Sequence, residues 1–258
     1  MIPLRDQDVL RERFAKELTG RVRVDYFTQR PSRVIIPGRE ECALCEDGHT
    51  LLKEIASLSP RVALTVHDFE DEPAAAAALG VGRVPGIVVR GVTNRPLRFA
   101  GVPSGNQFPG FIETLINAAA GKAEFRPETL RALKKIRSDV FVQVFVAPTS
   151  PYCPPLARIA FKVGLMVPKV KVEVIDATEF PALVQRQGIR AVPTTFFDER
   201  LAVPGAMDEA TFAQALLQAA EGRPLTPPEF GGGPVSMLPE PRTPDQPVRT
   251  PSGLVLPR

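Results

Sequence analysis

Tryptophan is absent from this chain of 258 residues, and cysteine, histidine and tyrosine occur only three, two and two times. Without tryptophan there is no W-C-x-x-C site. Three cysteines, an odd number, exclude a framework of structural disulfides. Basic residues form no run, and the net charge of +3 is dispersed. The chain therefore lacks the electrostatic footprint of a nucleic-acid binder. The longest apolar runs, such as residues 139–147, are interrupted and far shorter than a membrane span, so no membrane partner is expected. No G-x-G-x-x-G joins a strand to a helix and no P-loop pattern occurs. No cofactor is assigned: electrons must come from another protein or a small thiol. Residues 1–8 lack the basic and apolar regions of a secretory signal, and a cytoplasmic protein is the expectation.

What is present is more specific. Cys42-Ala43-Leu44-Cys45 sets two thiols two residues apart at the start of a helical pattern, within reach of one disulfide. Val84-Pro85 follows 43 residues after Cys42. The layout then recurs: Cys153 opens a second helical segment and Val192-Pro193 follows 40 residues later. The two cysteine sites are 111 residues apart and the two prolines 108. A nearly constant offset reads as a duplicated unit.

The periodicities agree. Residues 3–18 read as an amphipathic helix, 21–27 as a strand, 28–41 as a loop with a short strand at 34–36, and 42–58 as a helix. A strand (61–69), an alanine-rich helix (72–79), a hairpin-like pair (87–90 and 97–100) and a helix (107–120) complete the unit. The order restarts with a helix at 127–136, a strand at 140–147, a helix at 153–163, a strand at 169–175 and a helix at 179–187. Paired strands at 194–197 and 201–203 and a helix at 208–221 close it. The expected organisation is two units, 1–122 and 123–222, with separate sheets, followed by a tail at 223–258. Ten of the last 35 residues are proline, and the tail is expected to be disordered.

A C-x-x-C at the first long helix and a Val-Pro before the hairpin, laid out twice, resemble the protein disulfide oxidoreductases of thermophilic prokaryotes. They are also similar to the tandem unit at the N-terminus of bacterial alkyl hydroperoxide reductase flavoproteins. The resemblance covers residues 1 to about 222. It implies an α/β protein of two tandem thioredoxin-like folds, mixed central sheets flanked by helices, acting as a thiol–disulfide oxidoreductase. Two features depart from it. The second site reads Cys153-Pro154-Pro155-Leu156, with leucine where a resolving cysteine belongs, and Glu40, Glu41, Glu46 and Asp47 make the first site acidic.

On this reading Cys42 is the nucleophile and Cys45 the resolving thiol. The helix N-terminus lowers the Cys42 thiol pKa and the four carboxylates raise it. Such a balance suits a reductant better than an oxidant. Val84-Pro85 and Val192-Pro193 are expected to be cis and to offer the valine backbone to a substrate strand beside the local cysteine. Cys153 is left as a secondary thiol, either a working monothiol or a remnant in a docking unit. C-x-x-C-x-x-x-H through His49 lacks a fourth ligand, and no metal is assigned. His67 reads as a strand-end residue and Tyr152 as a packing residue. The expected partners are protein disulfide substrates and a thioredoxin reductase-like or small-thiol donor. A non-catalytic tandem binding module and an electron relay to a peroxidase are the alternatives.

Overall fold

The computed structural model describes residues 2–31, 41–199, 201–225 and 232–238, with the backbone of 248–249 and 255–256. The strand expected at 34–36 lies outside the described residues. The first half runs α1 (Leu4–Glu17), β1 (Val22–Thr28), α2 (Cys45–Ser57), β2 (Val62–Asp68), α3 (Pro73–Leu79), β3 (Gly86–Arg90), β4 (Leu97–Ala100) and α4 (Phe108–Ala120). The second runs α5 (Pro127–Leu133), β5 (Val140–Val146), α6 (Cys153–Met166), β6 (Val170–Asp176), α7 (Pro181–Arg186), β7 (Ala191–Val192), β8 (Thr194–Phe197), β9 (Leu201–Pro204) and α8 (Glu209–Ala220).

Local chemistry sets these boundaries. Proline stands in the first turn of α3, α5 and α7, where its missing N–H costs nothing. Gly80 and Gly121 end α3 and α4 in left-handed conformation. The Asp208 carboxylate caps α8 by accepting the Thr211 N–H at 2.8 Å, and that hydrogen bond lowers its pKa.

Each half pairs its strands in the same way. β1 is parallel to β2 and antiparallel to β3, which pairs antiparallel with β4. Correspondingly, β5 is parallel to β6 and antiparallel to β8, which pairs with β9. The expectation of separate sheets gives way here. β4 pairs in parallel with β6, Leu97 opposite Val172 through Ala100 opposite Ile175, so eight of the nine strands of the two halves, all but β7, form one sheet. One hydrophobic core runs through both halves, with Phe14, Tyr26, Phe111, Phe145, Phe197 and Phe212 fully buried in it. Helices on both faces explain why β5, Val-Phe-Val-Gln-Val-Phe-Val, is apolar almost throughout rather than alternating.

The seam also carries charge. Buried Arg98, opposite Glu173, donates from Nε to the Leu79 carbonyl at 2.6 Å; burial lowers its pKa and Glu173 opposes this. Glu173 in turn accepts from Arg83 at 2.7 Å and Gln143 at 2.9 Å. A buried carboxylate is tolerated because its oxygens are paired.

Two further differences bear on function. Helix α2 begins at Cys45, not Cys42, because residues 43–44 form a turn and the Cys42 N–H bonds the Gln29 side chain at 2.9 Å. The expected disorder of 223–258 does not extend to residues 232–238. Ser236–Met237 forms β10, antiparallel to β7. The dipeptides β11 (Val248–Arg249) and β12 (Val255–Leu256) pair with each other.

Candidate functional site

Cys42 and Cys45 are joined by a disulfide with their Cα atoms 5.5 Å apart. Cys45, the first residue of α2, is buried at 4% exposure, whereas Cys42 in the preceding turn is partly exposed. Only Cys42 therefore presents its sulfur edge to an incoming molecule. Its buried partner lies behind it, away from solvent.

Behind the pair, Tyr26 on β1 donates its hydroxyl to the Cys45 carbonyl at 2.6 Å. Burial pushes the Tyr26 pKa up strongly, so the phenol stays a protonated donor. Gly48 makes room for it: a Cβ there would sit 2.6 Å from the tyrosine oxygen. In an open helix Gly→Ala stabilises by about 1 kcal/mol. Here Gly48→Ala is expected to destabilise by about 1–3 kcal/mol through overpacking. Tyr26→Phe in the same chain should recover part of that loss, read by urea unfolding as a double-mutant cycle. A stabilising Gly48→Ala would show that the hydroxyl has room to move.

Val84–Pro85 and Val192–Pro193 are both cis. In each half the proline carbonyl accepts an N–H from a positive-φ glycine at 2.8 Å, Gly101 for Pro85 and Gly205 for Pro193. The repeat thus extends to individual hydrogen bonds. Cys42, Val84 and Pro85 line one cleft of about 590 Å³ with Gln29, Glu41, Phe69, Glu70 and Arg83. Its remaining wall comes from the other half: Thr178, Glu179, Phe180 and Pro181. The Arg83 guanidinium lies 5.8 Å from the centre of the Phe180 ring.

Glu179 is the member of this wall with the most perturbed acidity. Its Oε1 accepts the Val102 N–H at 2.6 Å, and its Oε2 is buried without a hydrogen-bond partner among the described residues. Burial raises its pKa to about 7, the Val102 hydrogen bond works against this, and Asp176 adds to it. Gly101 admits the side chain, since a Cβ there would lie 2.8 Å from Oε1. Gln29, Arg83 and the 178–181 wall escaped sequence reasoning. The faint signals were the position of Arg83 just before Val-Pro and that of Glu179 just before a Phe-Pro helix start.

The second cysteine is arranged differently. Cys153 begins α6, is fully buried, and is not among the residues lining the Cys42 cleft. Burial raises its thiol pKa, opposed by hydrogen bonds from Ser150 and the backbone at Ala147. Leu156 is also fully buried, filling core space where a resolving sulfur would stand. Tyr152 is 39% exposed, which corrects its reading as a packing residue. His49 stacks near Tyr26 with ring centres 6.3 Å apart. His67 bridges Glu72 at 2.8 Å and Asp25 at 3.2 Å. Burial opposes protonation of His67, but these carboxylates outweigh it and raise its pKa. Among the described residues no group of three or more His, Cys, Asp or Glu side chains is placed to hold a metal ion. No helix of the described residues is long and apolar enough to cross a membrane.

A sheet of this order, a dithiol at a helix start and a cis-proline ahead of the returning hairpin define a thioredoxin-fold protein. The chain belongs to the thioredoxin-like oxidoreductase family. The thioredoxin domain model matches residues 140–218. A thioredoxin of Methanocaldococcus jannaschii is 31% identical over 80 residues, covering 31% of this chain and 94% of that protein. The F component of the alkyl hydroperoxide reductase of Xanthomonas campestris pv. phaseoli is 24% identical over 157 residues, 61% of this chain and 28% of that protein. The chain spans less than a third of the length of this and the other long curated relatives it matches. Among solved structures, a protein disulfide oxidoreductase from Aeropyrum pernix superposes with a TM-score of 0.75 at 23% identity, over 86% of this chain and 95% of that one. That likeness speaks for the fold.

Proposed function

We propose that this chain reduces or exchanges protein disulfides through the Cys42/Cys45 dithiol, with Val84 and Pro85 receiving the substrate strand. The observation that carries the reading is a disulfide between a partly exposed and a buried cysteine, opening on a cleft walled by a cis-proline. The Cys42 thiolate attacks one sulfur of a substrate disulfide, forming a mixed disulfide and releasing the other substrate sulfur as a thiolate. Cys45 then attacks the Cys42 sulfur, the mixed bond breaks, and the second substrate thiolate leaves. The Cys42–Cys45 disulfide remains. Two electrons from a reductase-type partner or a small thiol restore the dithiol.

Glu41, Glu70 and Glu179 in the cleft wall, with Glu46 and Asp47 in the first turn of α2, surround the thiols with carboxylates. Carboxylates disfavour a thiolate, which suits a reducing role in a reducing compartment such as the cytoplasm. The units 1–122 and 123–222 divide the work, the first holding the dithiol and the second completing its cleft.

Insulin reduction followed by turbidity, with thioredoxin reductase and NADPH or with glutathione as donor, tests the reading. Turnover with either donor supports it, and no turnover with any two-electron thiol donor removes it. A second reading, relay of electrons to a peroxidase, rests on the likeness to the alkyl hydroperoxide reductase component. It differs in its acceptor and is distinguished by transfer to a peroxidase disulfide without insulin reduction.

A further inference from the structure

The two cis-prolines sit in equivalent frames, yet their surroundings differ. Beside Val84 the first half opens a cleft of about 590 Å³. Beside Val192 the same position is filled by the chain itself: Ser236 stands opposite Val192 and Met237 opposite Ala191 in an antiparallel pair. The pairing continues at Leu238, whose N–H donates to the Arg190 carbonyl at 3.0 Å. Upstream, the Ala206 N–H donates to the Pro234 carbonyl at 3.1 Å. Gly233 lies so close to residue 206 that a Cβ on it would meet the Ala206 oxygen at 2.0 Å.

From this strand a polar relay runs to the second thiol. Ser236 donates its hydroxyl to the Ser150 hydroxyl at 2.9 Å, Ser150 is buried, and its side chain hydrogen-bonds Cys153.

We propose that the β7 edge of the second half is a binding site for an extended peptide strand, and that residues 233–238 are its resident occupant, closing Cys153 off from outside molecules. The contacts are those of strand addition to a sheet edge: backbone hydrogen bonds hold the peptide whatever its side chains, and a single small side chain, Ser236, reaches inward to buried Ser150. Leu238 packs against the core while Val235 and Met237 point outward, the alternation of a half-buried strand. Residues 233–238 carry no charge. The partner class that could replace them is therefore an uncharged extended peptide with a small residue at the Ser236 position. The proposal shares with the proposed function the idea that the residue before the cis-proline receives a strand, but its test reads Cys153 alone.

With the Cys42–Cys45 disulfide intact, Cys153 is the only thiol in the protein, so its alkylation by N-ethylmaleimide measures access directly. In the full-length chain, Gly233→Val should force the strap away from Ala206, and Leu238→Pro should remove the N–H given to Arg190. Each is expected to speed alkylation at least tenfold, while Val235→Ala, at an exposed side chain, leaves it unchanged. Added Gly-Gly-Pro-Val-Ser-Met-Leu peptide should slow the Gly233→Val protein again. Amide exchange followed in the same samples should quicken at residues 191–192 and not in the core strand β5. An unchanged alkylation rate in both variants, or an equal quickening of exchange at β5, overturns the proposal. Insulin reduction by Cys42/Cys45 plays no part in this readout, so loss of the first reading leaves it standing.

Discussion

Cys42→Ser is expected to remove disulfide reductase activity, by more than a hundredfold, because it deletes the only partly exposed sulfur of the pair. Cys45→Ser should act differently. The attacking thiol remains and the release step is lost, so a Cys42–substrate mixed disulfide accumulates and is visible by mass spectrometry under non-reducing conditions. Cys153→Ser should leave at least half of the activity, since Cys153 is fully buried, lies outside the cleft and has Leu156 in place of a resolver. The three variants separate the two halves by chemistry rather than by stability. If Cys153→Ser were the most damaging change, the working site would lie in the second half and the assignment of Cys42 would be reversed.

How much of this was legible in advance follows from which interactions are local. The C-x-x-C pair, the two Val-Pro steps and their repeat needed only spacing, because disulfide reach and the helix–strand–helix return are short-range geometry. The strands were legible from runs of valine, isoleucine and phenylalanine. The start of α2 was not, because a long-range bond from the Cys42 N–H to Gln29 holds the first cysteine outside the helix. The joining of two sheets into one was also hidden. It depends on pairing Leu97–Ala100 with β6, about 75 residues away, and nothing in either strand's pattern names its neighbour. For the same reason Glu179 and Phe180 were missed as walls of the Cys42 cleft. β7 is two residues long, and its partner strand lies in a proline-rich, glycine-flanked segment whose composition speaks only of disorder. Composition measures what a segment can bury by itself. Residues 232–238 are ordered by an edge that the rest of the chain supplies.

Glu179→Gln carries the second large expectation, because the carboxyl titrates near neutrality in the wall of the reactive cleft. Its folded pKa of about 7 lies above its ordinary value of 4.5. Between those values the folded protein binds more protons at this site than the unfolded chain does. Stability therefore falls as pH rises from about 4.5 to 7 and levels off above. Glutamine keeps an oxygen for the Val102 N–H and cannot ionise. The variant should match the parent at pH 4 and exceed it by about 1–2 kcal/mol at pH 8, a fraction of the full shift because the side chain is incompletely buried. The same charge acts on the thiol. An ionised Glu179 facing the cleft opposes the Cys42 thiolate, and at an effective dielectric near 20 a unit charge at the cleft wall is worth about 1 kcal/mol, or roughly 0.7 of a pKa unit. In reduced protein, iodoacetamide labelling of Cys42 should thus rise less steeply with pH above 7 in the parent than in Glu179→Gln, and the variant should label several-fold faster at pH 8. Unfolding curves and labelling profiles that coincide for the two proteins across pH 4–9 would mean that burial does not shift the Glu179 carboxyl and that its charge does not reach the Cys42 thiol.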